Sequence, residues 1–183
     1  MGLAAWFKKV QAEHQRAHEI RASVGATLQA IGTGDPDGVR KALAAIHPAD
    51  LSAEQKGNLL KAAIVHGDVK TFGAVLAFIG EPNAMIKEGY GGLRRSWDVG
   101  TPLLNYALRT RNHDIALALA KDPQTNIESK SKLDYGSPWF MAKTSGMTDV
   151  AAVLATRTAE LRRQEAAQWE ETAARISPAP QVT

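Results

Sequence analysis

Residues 100–122 read GTPLLNYALRTRNHDIALALAKD, and residues 136–158 read GSPWFMAKTSGMTDVAAVLATRT. Each opens on a glycine, a small hydroxyl residue and a proline. Each then runs through a short apolar stretch, a polar turn ending in aspartate, and a second stretch with apolar residues at helical spacing. Thr101 is placed to cap free amide groups, and Pro102 suits a first helical turn, where its missing N–H costs no hydrogen bond. The spacing predicts two helix–turn–helix units, turning at 112–114 and at 146–149.

The pattern extends upstream. GNLLKAAIVHGDVKTFGAVLAFIG at 57–80 predicts a helix, a tight turn at His66-Gly67-Asp68 and a second helix. GDPDGVRKALAAI at 34–46 reads as the second half of an earlier unit: Asp35 and Asp37 precede a helix expected to begin near Val39. Ser52 followed by Gln55 has capping-box spacing, so a helix should start near Ala53. No strand-like alternation is evident, and the expected fold class is all-α.

These units resemble the ankyrin repeat, a turn plus two antiparallel helices recurring about every 33 residues with a Thr-Pro-Leu-His opening. Gly100-Thr101-Pro102-Leu103 and Gly136-Ser137-Pro138-Trp139 match that opening. Ala142, Gly146, Asp149 and Val150 match the helix alanine, the turn glycine and the start of the second helix. Leu104 and Phe140 stand where the family has histidine, and one extra residue precedes Asp114. The resemblance spans about 34–160 and implies a helical solenoid of three to four repeats. Residues 1–33 and 161–176 become helical caps and 177–183 a tail. Repeat units cannot bury their apolar faces alone, so the end units need covering. The stripe Leu154, Leu161, Trp169 and Ile176 suits an intramolecular cap, and Trp6-Phe7 could meet Trp169.

One segment breaks the period. Asp68 and Asp114 are 46 positions apart, against 35 for Asp114 and Asp149. The surplus lies in IKEGYGGLRRSWDVG, residues 86–100. In ankyrin-like stacks the hairpin row at this place meets partners. Tyr, Trp and Arg dominate binding hot spots, so Tyr90, Arg94, Arg95 and Trp97 form the candidate partner-binding set. Its glycines and arginines do not make a phosphate loop, because no strand and no Gly-Lys-Ser/Thr accompany them.

Composition narrows the function. The chain has no cysteine and a formal net charge of +3. Disulfides, thiolate metal sites and cysteine nucleophiles are excluded, and a reducing, cytoplasmic setting is expected. The modest charge argues against nucleic acid as the main partner. No stretch approaches the ~20 apolar residues of a membrane span. Trp6, Phe7, Lys8 and Lys9 could touch a membrane surface, but the apolar run is short, so a cap or partner contact fits it better. His14 and His18 have the i, i+4 spacing of a metal pair but no further ligand, and read as solvated helix residues. His66 and His113 fall in turns, where the resemblance implies structural hydrogen bonds. No catalytic constellation appears.

The expected function is non-enzymatic protein–protein interaction, of adaptor, effector or inhibitor type, without cofactor or metal. The source that fits such repeat proteins includes bacteria and their viruses. Two alternatives stand beside it. One is a structural subunit of a larger assembly, such as a viral or phage particle, joined through the terminal helices. The other is nucleic-acid binding through Arg94 and Arg95. A monomer is favoured over an oligomer.

Overall fold

The computed structural model of the chain describes residues 2–88, 99–129 and 136–176. These residues are mostly helical: α1 (Leu3–Gly32), α2 (Pro36–Leu43), α3 (Ala53–His66), α4 (Val69–Ile79), α5 (Leu103–Arg109), α6 (His113–Lys121), α7 (Pro138–Thr144) and α8 (Thr148–Ile176). A single 3-10 turn lies at Pro48–Asp50, and two short strands, β1 (Met85–Glu88) and β2 (Val99–Pro102), pair antiparallel.

Local chemistry sets most helix starts. Asp35 accepts from the Gly38 amide, and Pro36 occupies the first helical position of α2. The helix therefore starts at Pro36, earlier than the expected Val39, because the Asp-Pro pair itself forms the cap. Ser52 and Gln55 form the reciprocal capping box of α3. Asp68 caps α4 and Asn112 caps α6, each through an amide three residues on. Ser137 does the same for α7 ahead of Pro138.

Thr101 departs from its expected role. α5 begins at Leu103 with Pro102 at the capping position, so Thr101 lies one residue too early and belongs to β2. The strands themselves overturn the expectation of no strand. Their register pairs Ile86 with Thr101 and Lys87 with Gly100. Ile86 and its partner Thr101 are buried and Met85 is exposed, so β1 alternates, while in β2 both Thr101 and Pro102 are buried as the chain turns into α5. Gly100 is required there: a Cβ on it would lie 2.9 Å from the Cβ of Met85.

Four antiparallel pairs follow one another: α1/α2, α3/α4, α5/α6 and α7/α8. In one column α1 touches α3, α3 touches α5 and α5 touches α7; in the other α2 touches α4, α4 touches α6 and α6 touches α8. The core runs through the row. Leu59, Leu60 and Ile64 of α3 join Leu103 and Leu108 of α5, Ile115 and Leu119 of α6, and Leu154 of α8. Each such side chain contributes about 1.5–3 kcal/mol on burial. Every residue from Leu103 to Leu108 is buried, as suits a short helix with neighbours on all sides.

The row has two edges. Tight turns at Thr33–Asp35, Gly67–Asp68, Thr110–Asn112 and Ser145–Met147 join the helices of each pair along one edge. The longer connections lie along the other. The ends of the row differ from expectation. α1 is one continuous helix whose later part packs through Ile20, Val24, Thr27 and Ile31, but Trp6 and Phe7 are 50% and 59% exposed. Those two rings pack edge-on against each other, 5.1 Å apart. On α8, Leu154 is buried and Leu161 half-buried, while Trp169 and Ile176 are 75% and 77% exposed. The stripe therefore does not act as an intramolecular cap over its full length. The row is only deep enough to cover its first part.

Candidate interaction surface

The ribbon fixes where the 86–100 insertion leaves and rejoins the row. Glu88 pairs with Val99 at its far end, and Pro102 leads directly into α5. β1 also packs on α3 and α5, so the ribbon spans two consecutive pairs. Tyr90, Arg94, Arg95 and Trp97 lie outside the described residues. Their flanks do not: both ends of the segment are anchored at the edge that carries the long connections.

That edge is laced by polar ties between successive connections. The Lys56 ammonium meets Glu81 at 2.9 Å. The Asn83 side chain donates to the Gln124 carbonyl at 2.9 Å and accepts from the Asn126 amide at 2.7 Å. Arg157 donates to the carbonyls of Ala120 (2.8 Å), Pro123 (3.2 Å) and Thr125 (3.2 Å). Arg16 meets Asp50 at 2.7 Å and holds its carboxyl below the ordinary 3.8. None of these ties was expected from the sequence. The one available signal was an asparagine following a proline in two connections, Pro82-Asn83 and Pro123 to Asn126.

The opposite edge is fixed by the tight turns. Asn112 serves two pairs at once: its oxygen accepts from the Ile115 amide at 3.2 Å and its amide donates to the Ile64 carbonyl at 2.7 Å. His113 joins the next two turns. Its Nε2 lies 2.8 Å from Asp149 and its Nδ1 3.1 Å from Asp114. Both ring nitrogens thus face carboxylates, which favours the imidazolium, donating on both sides. The bond to Asp149, then that to Asp114, raises the His113 pKa above its ordinary 6.5. The same bond lowers Asp149. Asp68 is lowered chiefly by the Thr71 amide that it caps. Each of these shifts accompanies a bond that holds a turn or cap.

Arg111 has φ 58°, in the left-handed region, two residues before α6 begins. Gly146, two residues before α8, has φ 77°. The two turns share one backbone path, and only one has the residue type that takes it without strain.

The remaining candidates are dispersed. His14 and His18 are both exposed on α1, and among the described residues no three histidine, aspartate or glutamate side chains gather as a metal site. His66 is exposed at the last residue of α3. Trp139 and Phe140 are exposed on α7, with Lys143 5.0 Å from the Trp139 ring. Arg109 lies 5.3 Å from the Tyr106 ring on α5. Among the described residues, no helix is long and apolar enough to cross a membrane.

No family model, no curated protein and no solved structure matches the chain.

Proposed function

We propose that the chain is a divergent ankyrin-type repeat solenoid that acts as a non-enzymatic protein-interaction module, with segment 86–100 as its principal contact. One observation carries the reading: the β1–β2 ribbon holds both ends of an arginine- and aromatic-containing segment at the connection edge, between two consecutive helix pairs. Holding the two ends of a segment together removes part of the ordering cost of binding, which favours affinity. Tyr90 and Trp97 anchor in apolar pockets of the partner, and Arg94 and Arg95 pair with acidic groups around them. The shifted titratable groups support a structural rather than a catalytic use of polar side chains, since each is bound to a helix cap, a neighbouring turn or, for Asp50, Arg16 of α1.

The test replaces Tyr90, Arg94, Arg95 and Trp97 together by alanine. Proteins retained from a lysate of the source cells by the immobilised wild type are compared with those retained by this variant. A partner lost only from the variant, with helical circular dichroism and melting unchanged, supports the reading. Equal retention removes the segment as the site. A gel shift with single-stranded and duplex DNA that weakens steeply with salt would favour nucleic acid instead.

A further inference from the structure

Both terminal helices overrun the row on the same side. α1 and α8 each join their partner helix through a tight turn, so their far ends point to the connection edge. Arg16 bonds to Asp50 there, and Arg157 bonds to the carbonyls of Pro123 and Thr125 there. Those ties mark where each helix leaves the row. Residues 3–15 lie beyond the first, and 162–176 lie beyond the half-buried Leu161 that follows the second. At 1.5 Å per residue each overhang is about 20 Å long.

The two overhangs are complementary. One shows Leu3, Trp6 and Phe7, at 75%, 50% and 59% exposure; the other shows Trp169 and Ile176, at 75% and 77%. They sit at opposite ends of the row and run in opposite directions. With two copies placed end to end, one overhang lies antiparallel to the other. Levelled by Arg16 and Arg157, this puts Lys8 and Lys9 beside Glu165, Leu3 and Trp6 beside Trp169, and Glu13 level with Glu160 but two residues from Arg162. All of these side chains are exposed.

The end faces are also open. A cleft of about 430 Å³ between α1 and α2 is floored by Ala26, Ala30, Gly38 and Ala42. A cleft of about 570 Å³ between the start of α7 and α8 is walled by Trp139 and floored by Ala155 and Ala159. Ala155 stands seven residues after the start of α8, as Ala120 stands seven after the start of α6. Ala120 is fully buried and its carbonyl is held by the following pair; Ala155 is exposed. The last pair therefore presents, uncovered, a surface that the preceding pair has covered.

We infer that the chain associates head to tail with a second copy of itself. Residues 3–15 of one copy lie along 162–176 of the next, and the two end clefts close on each other. Such an interface joins unlike surfaces, so it grows into a ring or a filament rather than ending at a dimer. It is independent of the role of segment 86–100.

Sedimentation velocity of the full chain from about 1 µM to about 200 µM tests this. The expected result is a mass that rises with concentration beyond two copies. The double variant Trp6→Glu/Phe7→Glu and the single variant Trp169→Glu should each be monomeric with unchanged far-ultraviolet circular dichroism. Their equimolar mixture should form a dimer and stop there, because each retains one intact end. Should either variant lose helicity, the charge reversals Lys8→Glu/Lys9→Glu and Glu165→Lys replace them, each weakening assembly alone; their mixture should again grow beyond two copies, because the reversed charges also pair with each other. A wild type that stays monomeric throughout overturns the inference. So does a mixture that stays monomeric, or a single-end variant that assembles as the wild type does, which would mean pairing of like ends. A monomeric wild type that sediments with phosphatidylserine vesicles would likewise overturn it, in favour of a lipid surface for α1.

Discussion

Replacing Asn112 by alanine should destabilise the protein by about 2–4 kcal/mol, more than the loss of a helix cap alone. Its side chain caps α6 through the Ile115 amide, and loss of such a cap costs about 1 kcal/mol. The same side chain donates to the Ile64 carbonyl, in the last turn of α3 on a residue whose side chain is fully buried. Carbonyls in a helix's last turn lack intrahelical partners. Removing the donor from one that is shielded from water costs about 1–3 kcal/mol. Asn112→Ser separates the two effects: serine caps about as well as asparagine but is too short to reach Ile64. Urea unfolding followed by circular dichroism should place serine between wild type and alanine. At about 2–4 °C per kcal/mol for a chain of this size, the alanine melting point should fall by about 4–16 °C. A loss within about 0.5 kcal/mol for alanine, or a serine variant as stable as the wild type, would overturn this, because the bond between pairs would then contribute nothing.

Three further outcomes follow from other turns and the ribbon. His113 is raised above 6.5, so its contribution is fully present below that pH and is lost as pH rises through the raised value; Asp149 is lowered below 3.8, so its contribution is present above that pH and is lost as pH falls through the lowered value. The stability difference between wild type and His113→Gln should therefore be largest near about pH 5–6 and shrink by about pH 8.5, and a difference constant across that range would contradict the bridge. Arg111→Gly should stabilise by about 0.5–1 kcal/mol, since relief of left-handed strain of about 1–2 kcal/mol exceeds the entropic cost of glycine, and a clear loss in urea unfolding would count against it. Gly100→Val should cost about 1–3 kcal/mol through its clash with Met85, and Met85→Gly, which removes the Cβ it meets, should recover part of that loss in the double variant, where simple additivity would refute the contact.

What could be read from the sequence was local. Ser52 with Gln55, Gly67 with Asp68, and Ser137 with Pro138 each specify a helix start through atoms within three residues, and they fell where expected. The ribbon could not be read in the same way. Its strands are four residues each, β2 contains both a glycine and a proline, and Thr101-Pro102 carries an equally good helix-start signal. Pairing with β1 decided between the two. The bonds of Asn112, Asn83 and Arg157 reach across pairs, and nothing in the local sequence identifies their partners. The α8 stripe shows the limit of periodicity: spacing puts Leu154, Leu161, Trp169 and Ile176 on related faces, but how far the neighbouring helices reach decides which are covered. For the candidate site, the insertion was legible as surplus length between Asp68 and Asp114, and its anchoring by paired strands was not.

The proposed contact surface is segment 86–100. Its most direct measurement places a photo-crosslinking residue at Trp97 in one variant and at Ala77, an exposed position on α4, in another. After irradiation with the captured partner, a covalent adduct is expected from position 97 and little from position 77. Adducts of equal yield from both positions, or an adduct from position 77 alone, would contradict it.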